Sequence, residues 1–139
     1  MNYLLDTCVI SELMKKTPSE TAVRWLTNTP DANQYLSSIT IGEIQKGIFR
    51  LEEQDLRRAL LSQWLMSIRK GFAKRIIPFD EDSAVIWGKL IGESLRIGRP
   101  KPIVDSQIAA TALSHGMALV TRNVPDMADF GVEIVNPFS

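Results

Sequence analysis

The sequence holds one cysteine and one histidine in 139 residues. Cys8 has no partner for an internal disulfide, and with only His115 beside it no Cys/His set can build a structural zinc site. Net charge is lacking too: 16 Lys and Arg balance 16 Asp and Glu, which speaks against a chain that coats nucleic acid by bulk electrostatics. No apolar run approaches the roughly 20 residues that span a bilayer. The opening MNYLLDTCVISELMKK lacks the basic head and long apolar core of a signal peptide. A soluble, cytoplasmic protein without a membrane segment is expected. A Gly-rich phosphate loop is also missing, and with it a large class of nucleotide chemistry.

What is present suits one α/β domain over residues 1–139, long enough to bury a core without staples. YLL at Tyr3 to Leu5 reads as a strand ending at Asp6, followed by a helix through Val9, Leu13 and Met14. Pro18 and Ser19 open a second helix that Asn28 and Pro30 end. QYLSSI is a strand running into the helix TIGEIQKGIFRLEE. Leu56, Leu60, Trp64 and Ile68, widened by Leu61 and Leu65, make a helical stripe that is core or a partner surface, with core expected for most of it. A strand at Ile76 and Ile77 precedes a long helix closed by Gly98, and RPKP leads into the buried helix of PIVDSQIAATAL. GMALVTRN gives another strand, VPDMADFG a turn or single helical turn, and VEIVNPF a last short strand. Short apolar strands alternating with amphipathic helices indicate a parallel sheet covered on both faces.

Ligands of open α/β sheets bind beyond the carboxyl ends of the strands. Asp6 follows the first strand, Asp126 comes shortly after ALVTRN, Glu43 falls in the first turn of its helix, and Asp105 opens another. Each has a structural reading: Asp6 and Asp105 as helix caps, Glu43 as a charge near a helix N-terminus, Asp126 as a turn former. Four like charges at one edge are destabilising unless a cation or substrate compensates them. Oxygen donors without soft ligands suit Mg²⁺ or Mn²⁺, and the chemistry left is metal-assisted hydrolysis of a phosphodiester.

LLDTCVISEL, YLSSITIGEIQKGI, IIPFDEDSAVIWGKL, PIVDSQIAATAL and ALVTRNVPDM with VEIVNPF stand in the order of a known family. Nearly end to end, the chain resembles the PIN-domain ribonucleases, specifically the VapC/FitB-type toxins of bacterial toxin-antitoxin pairs. The resemblance implies a three-layer α/β/α domain with a central parallel sheet, whose acidic pocket holds Mg²⁺ or Mn²⁺ and cuts RNA, arresting translation until an antitoxin blocks it. By position it places catalytic roles on Asp6, Glu43, Asp105 and Asp126, metal binding on Asp6 and Asp105, and pocket roles on Thr7, Thr121 and Asn123. The fourth acidic position falls on either Asn123 or Asp126; the acid role is placed on Asp126. On this reading Asp105 caps its helix and binds metal at once.

The same resemblance implies a homodimer and a VapB-like antitoxin that forms a heteromeric complex with the toxin. Lys46, Arg50, Arg99 and Lys101 flank the acidic elements and are the first choices for RNA phosphate contacts. The basic excess from Lys46 to Arg75 otherwise reads as a solvated helix face. Two other classes stand beside the nuclease: a non-catalytic PIN-fold module that only engages an antitoxin, and a phosphoacceptor receiver. The complete acid set speaks against the first, and the lone acid before Thr7 against the second, because receivers open with adjacent acids.

Overall fold

Five strands of two to four residues lie parallel in the order β3-β2-β1-β4-β5 in the computed structural model, which describes residues 1–139. In chain order they are β1 (Tyr3–Leu5), β2 (Gln34–Ser37), β3 (Ile76–Ile77), β4 (Ala118–Val120) and β5 (Ile134–Val135). Seven helices connect and cover them: α1 (Thr7–Glu12), α2 (Glu20–Asn28), α3 (Ser38–Phe49), α4 (Leu56–Gly71), α5 (Glu81–Arg96), α6 (Ile103–Ser114) and α7 (Val124–Met127).

Alternation along the strands sorts the core into two layers. Leu4 and its register partner Leu119 face one side, where they pack with Ile108, Ala109 and Ala112 of α6. Leu5 and its partner Val120 face the other, against Val9 and Ile10 of α1, Ile44 and Ile48 of α3, and Leu65 of α4. The expected three-layer α/β/α architecture is therefore present, with helices on both faces. The apolar residues of α6 encircle the helix, and Ile108, Ala109, Ala110 and Ala112 are all essentially inaccessible. Such a helix must be enclosed on all sides.

Three local readings need correction. The first helix stops at Glu12, leaving Leu13 and Met14 outside it and exposed. β2 ends at Ser37, whose hydroxyl caps α3 by accepting from the Ile39 amide at 3.0 Å, so Glu43 lies in the second turn. On α4, Leu65 is buried and Leu61, Trp64 and Ile68 pack on the core, but Leu56 and Leu60 are 85 % and 64 % exposed.

Candidate active site

The chain moves outward from β1 through β2 to β3 and then returns to the other side of β1 as β4. This makes the gap between β1 and β4 the topological switch point, where the carboxyl ends of two neighbouring strands send their chains apart and leave a crevice. Asp6 and Thr121 are the residues directly after those two strands. The Asp6 amide donates to the Val120 carbonyl at 2.9 Å, and the Thr121 amide donates to the Val135 carbonyl at 3.0 Å, so ladder bonding continues to the crevice lip.

Asp6 is the N-cap of α1, its Oδ1 accepting from the Thr7 amide at 2.8 Å, as expected. Its Oδ2 accepts from the Thr121 hydroxyl at 2.7 Å. Thr121 Oγ1 in turn accepts from the Asn123 amide at 2.9 Å. One hydroxyl thus orients the first acid and the turn that follows β4. Thr7 donates to Thr40 at 3.4 Å, linking the start of α1 to α3.

Asp105 does not cap its helix. Pro102 occupies the N-cap position, α6 begins at Ile103, and Asp105 is third in the helix with no side-chain cap bond at that end. It lies in the positive field of the first turn. Its Oδ2 accepts from Asn123 Nδ2 at 3.1 Å. Asn123 stands at the N-cap position of α7 yet makes no cap bond there, because its amide is turned across the crevice.

Asp6, Glu43, Asp105, Thr7 and Asn123 wall one cavity of about 400 Å³. Glu43 is held by Lys46, with Nζ to Oε1 at 3.0 Å. Asp126 sits on the exposed face of α7 outside the cavity wall, near enough that its charge raises Asp105. The structure therefore brings Asn123, not Asp126, into contact with the acids. Of the four basic residues singled out in the sequence, none walls this cavity, and Lys46 and Lys101 are ion-paired with Glu43 and Asp129. A cavity of similar size between α1, α2 and the end of α4 has a single acid, Asp31, and no converging carboxylates.

Burial pushes the Asp6 carboxyl up, opposed by hydrogen bonds from Thr121, Thr7 and Cys8, while the charge of Glu43 adds to the rise. Asp105 is raised first by burial and then by Asp6, Asp126 and Glu43, with the Asn123 bond opposing. Both acids are ones whose ionised form the cleft disfavours when nothing positive is bound. The donor set is all oxygen, which fits a hard divalent cation rather than zinc. With Glu43 turned to Lys46, no three acids, histidines or cysteines are gathered to hold an ion.

Besides the apolar Val104 and Ile108, sequence reasoning passed over two wall residues that carry polar groups. Cys8 places its Sγ 3.7 Å from both Asp6 Oδ2 and Thr121 Oγ1, and burial raises its thiol, which makes it an inert filler. Arg122, between two residues already singled out, also walls the cavity, and its basic side chain was the signal available.

Residues 3–124 match the PIN domain family, and the chain belongs to it. Among its relatives are the toxin FitB of Neisseria gonorrhoeae, 35 % identical over 135 residues and 97 % of either chain, and the VapC ribonuclease Y4jK of Sinorhizobium fredii, 30 % identical over 97 % of this chain and 96 % of that one. The crystal structure of FitAcB from Neisseria gonorrhoeae superposes with a TM-score of 0.88, at 35 % identity and 98 % coverage of both chains. The expected fold and family are therefore both present.

Proposed function

We propose that this chain is the toxin of a toxin-antitoxin pair, an endoribonuclease that uses Mg²⁺ or Mn²⁺ at the β1/β4 crevice. The observation that carries the reading is the pairing of two raised carboxyls, Asp6 and Asp105, at the switch point of a PIN fold with oxygen donors around them. Relatives named as ribonucleases, the VapC of Sinorhizobium fredii and the VapC1 of Haemophilus influenzae, support RNA as the substrate.

Asp6 and Asp105 would hold the ion, with Glu43 as a further acid in the wall, Asp126 as an acid at its margin, Thr7 and Asn123 as polar wall, and Thr121 behind Asp6. When bound, the cation supplies positive charge against the scissile phosphate and makes water more acidic. The chain's own part is orientation. Thr121 and the Thr7 amide fix both oxygens of Asp6, so that it meets a ligand in one rotamer. Asn123 fixes Asp105 through Oδ2, so that this acid too is held in one orientation toward the crevice.

Solved relatives include the FitAB complex bound to a DNA fragment and VapBC-1 of Haemophilus influenzae, which supports an antitoxin as the partner of this chain. The exposed Phe49 at the end of α3 and Leu56 and Leu60 at the start of α4 supply apolar surface for such a partner or for a second copy in a homodimer. No helix is long and apolar enough to cross a membrane, in keeping with a cytoplasmic site of action.

The test is cleavage of a mixed RNA sample with Mg²⁺, Mn²⁺ or EDTA, beside Asp6→Asn and Asp105→Asn. Cleavage should need the metal and fall about a hundredfold or more in each variant. Normal cutting by folded Asp105→Asn would remove this site assignment, and a folded wild type that binds antitoxin but cuts no RNA would favour the non-catalytic module.

A further inference from the structure

We propose that Arg122 is the phosphate-binding cation of the crevice, and that Glu12 and Phe138 hold its guanidinium in place for the RNA backbone. This rests on the nuclease reading above and adds how the substrate is gripped. An acidic cleft repels a polyanion, so some fixed positive group of the protein has to meet the phosphates that flank the cut. Arg122 is the one basic residue among those lining the cavity that holds Asp6, Glu43 and Asp105.

Its surroundings are built from parts that face away from those acids. Arg122 donates to Glu12 Oε1 at 3.3 Å, and its guanidinium carbon lies 3.8 Å from the centre of the Phe138 ring. Glu12 is only 4 % exposed, and it also takes the Ser19 amide at 2.8 Å and the Lys15 ammonium at 3.0 Å. Phe138 is anchored in turn, since Thr21 of α2 donates to its carbonyl at 3.3 Å. One edge and one face of the guanidinium are therefore fixed, while the side chain stays 51 % exposed.

Arginine carries five N–H donors in a planar fork that matches two phosphate oxygens, and a single one is used here by the protein. Holding one face of the guanidinium on an aromatic ring and one edge on a carboxylate removes much of the rotamer freedom that binding would otherwise cost. Lys46, Lys101 and Arg57, ion-paired with carboxylates as Arg122 is, stand outside the cavity lining, and Arg75 is spent on the carbonyls of Asp31, Gln34 and Gly71.

The experiment measures binding of a single-stranded RNA in EDTA across salt concentrations, and kcat and KM with Mn²⁺, for wild type, Arg122→Ala, Arg122→Lys, Glu12→Gln and Phe138→Leu. Arg122→Ala should raise Kd and KM about tenfold to a hundredfold and reduce the salt slope by about 0.7, the loss of one single-strand phosphate contact. Arg122→Lys should keep the slope and recover part of the affinity. Glu12→Gln is the decisive variant, because removing an acid beside the cleft tightens RNA binding if charge alone matters, whereas a positioning role weakens it about threefold or more. Should Glu12→Gln melt too low to assay, Phe138→Leu carries the same expectation without touching a charge. Tighter binding by folded Glu12→Gln, or an unchanged KM and slope in Arg122→Ala beside an active wild type, overturns this proposal alone. A wild type that neither cuts nor binds RNA overturns it together with the nuclease reading.

Discussion

Asp105 ionises against its surroundings, and the consequence can be read in stability as well as in activity. A carboxyl raised in the folded chain keeps its proton over a pH range in which the unfolded chain has already released it. Stability therefore falls as pH climbs from the ordinary carboxylate range through the raised values of Asp6 and Asp105. Asp105→Asn keeps an acceptor for Asn123 and removes the charge. In EDTA at neutral pH it should melt about 1–3 °C above wild type by calorimetry, a modest gain because solvent screens a half-exposed group, while RNA cleavage is lost. Thr121→Val should act in the opposite direction, leaving the Asn123 amide without its partner and Asp6 Oδ2 with only the weak Cys8 contact, at a cost of about 1–3 kcal/mol in urea unfolding. The Thr121 bond lowers the Asp6 carboxyl, so its loss should also move the Asp6 titration upward in the metal-free protein, read by NMR.

At the scale of elements, α4 separates two kinds of apolar residue that its sequence shows as one stripe. Leu65→Ala should cost about 2–5 kcal/mol, whereas Leu56→Ser and Leu60→Ser should change the stability of the lone chain by less than about 0.5 kcal/mol, both checked by denaturant melts. Period and chain order were legible because strands β1 to β5 and most helix boundaries follow from local signals such as Ser19, Gly98 and Pro137. Depth of burial along α4 was not, because it depends on where the core ends. Element starts carried the same difficulty at the site. Spacing placed Asp105 and Glu43 near helix N-termini, but Pro102 and Ser37 set the starts, which moved Asp105 off the cap and Glu43 into a second turn. The roles of Arg122 and Glu12 were illegible for another reason: they are 110 positions apart and meet through the sheet.

For the molecule as a whole, the raised acids predict how it responds to metal. Mn²⁺ at a hundred times its Kd should add about 2.7 kcal/mol to the unfolding free energy at neutral pH. That gain should shrink as pH is lowered through the titration of Asp6 and Asp105, whose protonated forms do not ligate. Differential scanning calorimetry across pH checks this, and a shift that persists in an Asp6→Asn, Asp105→Asn double variant would place the ion elsewhere. The bond from Thr121 to Asp6 spans 115 positions and joins the ends of the two central strands. During synthesis Asp6 is made 115 positions before Thr121, so at about 5–20 residues per second the first acid waits on the order of ten seconds for its partner. Throughout that interval the emerging chain has no β1/β4 crevice, and the ribosome making it faces no assembled site.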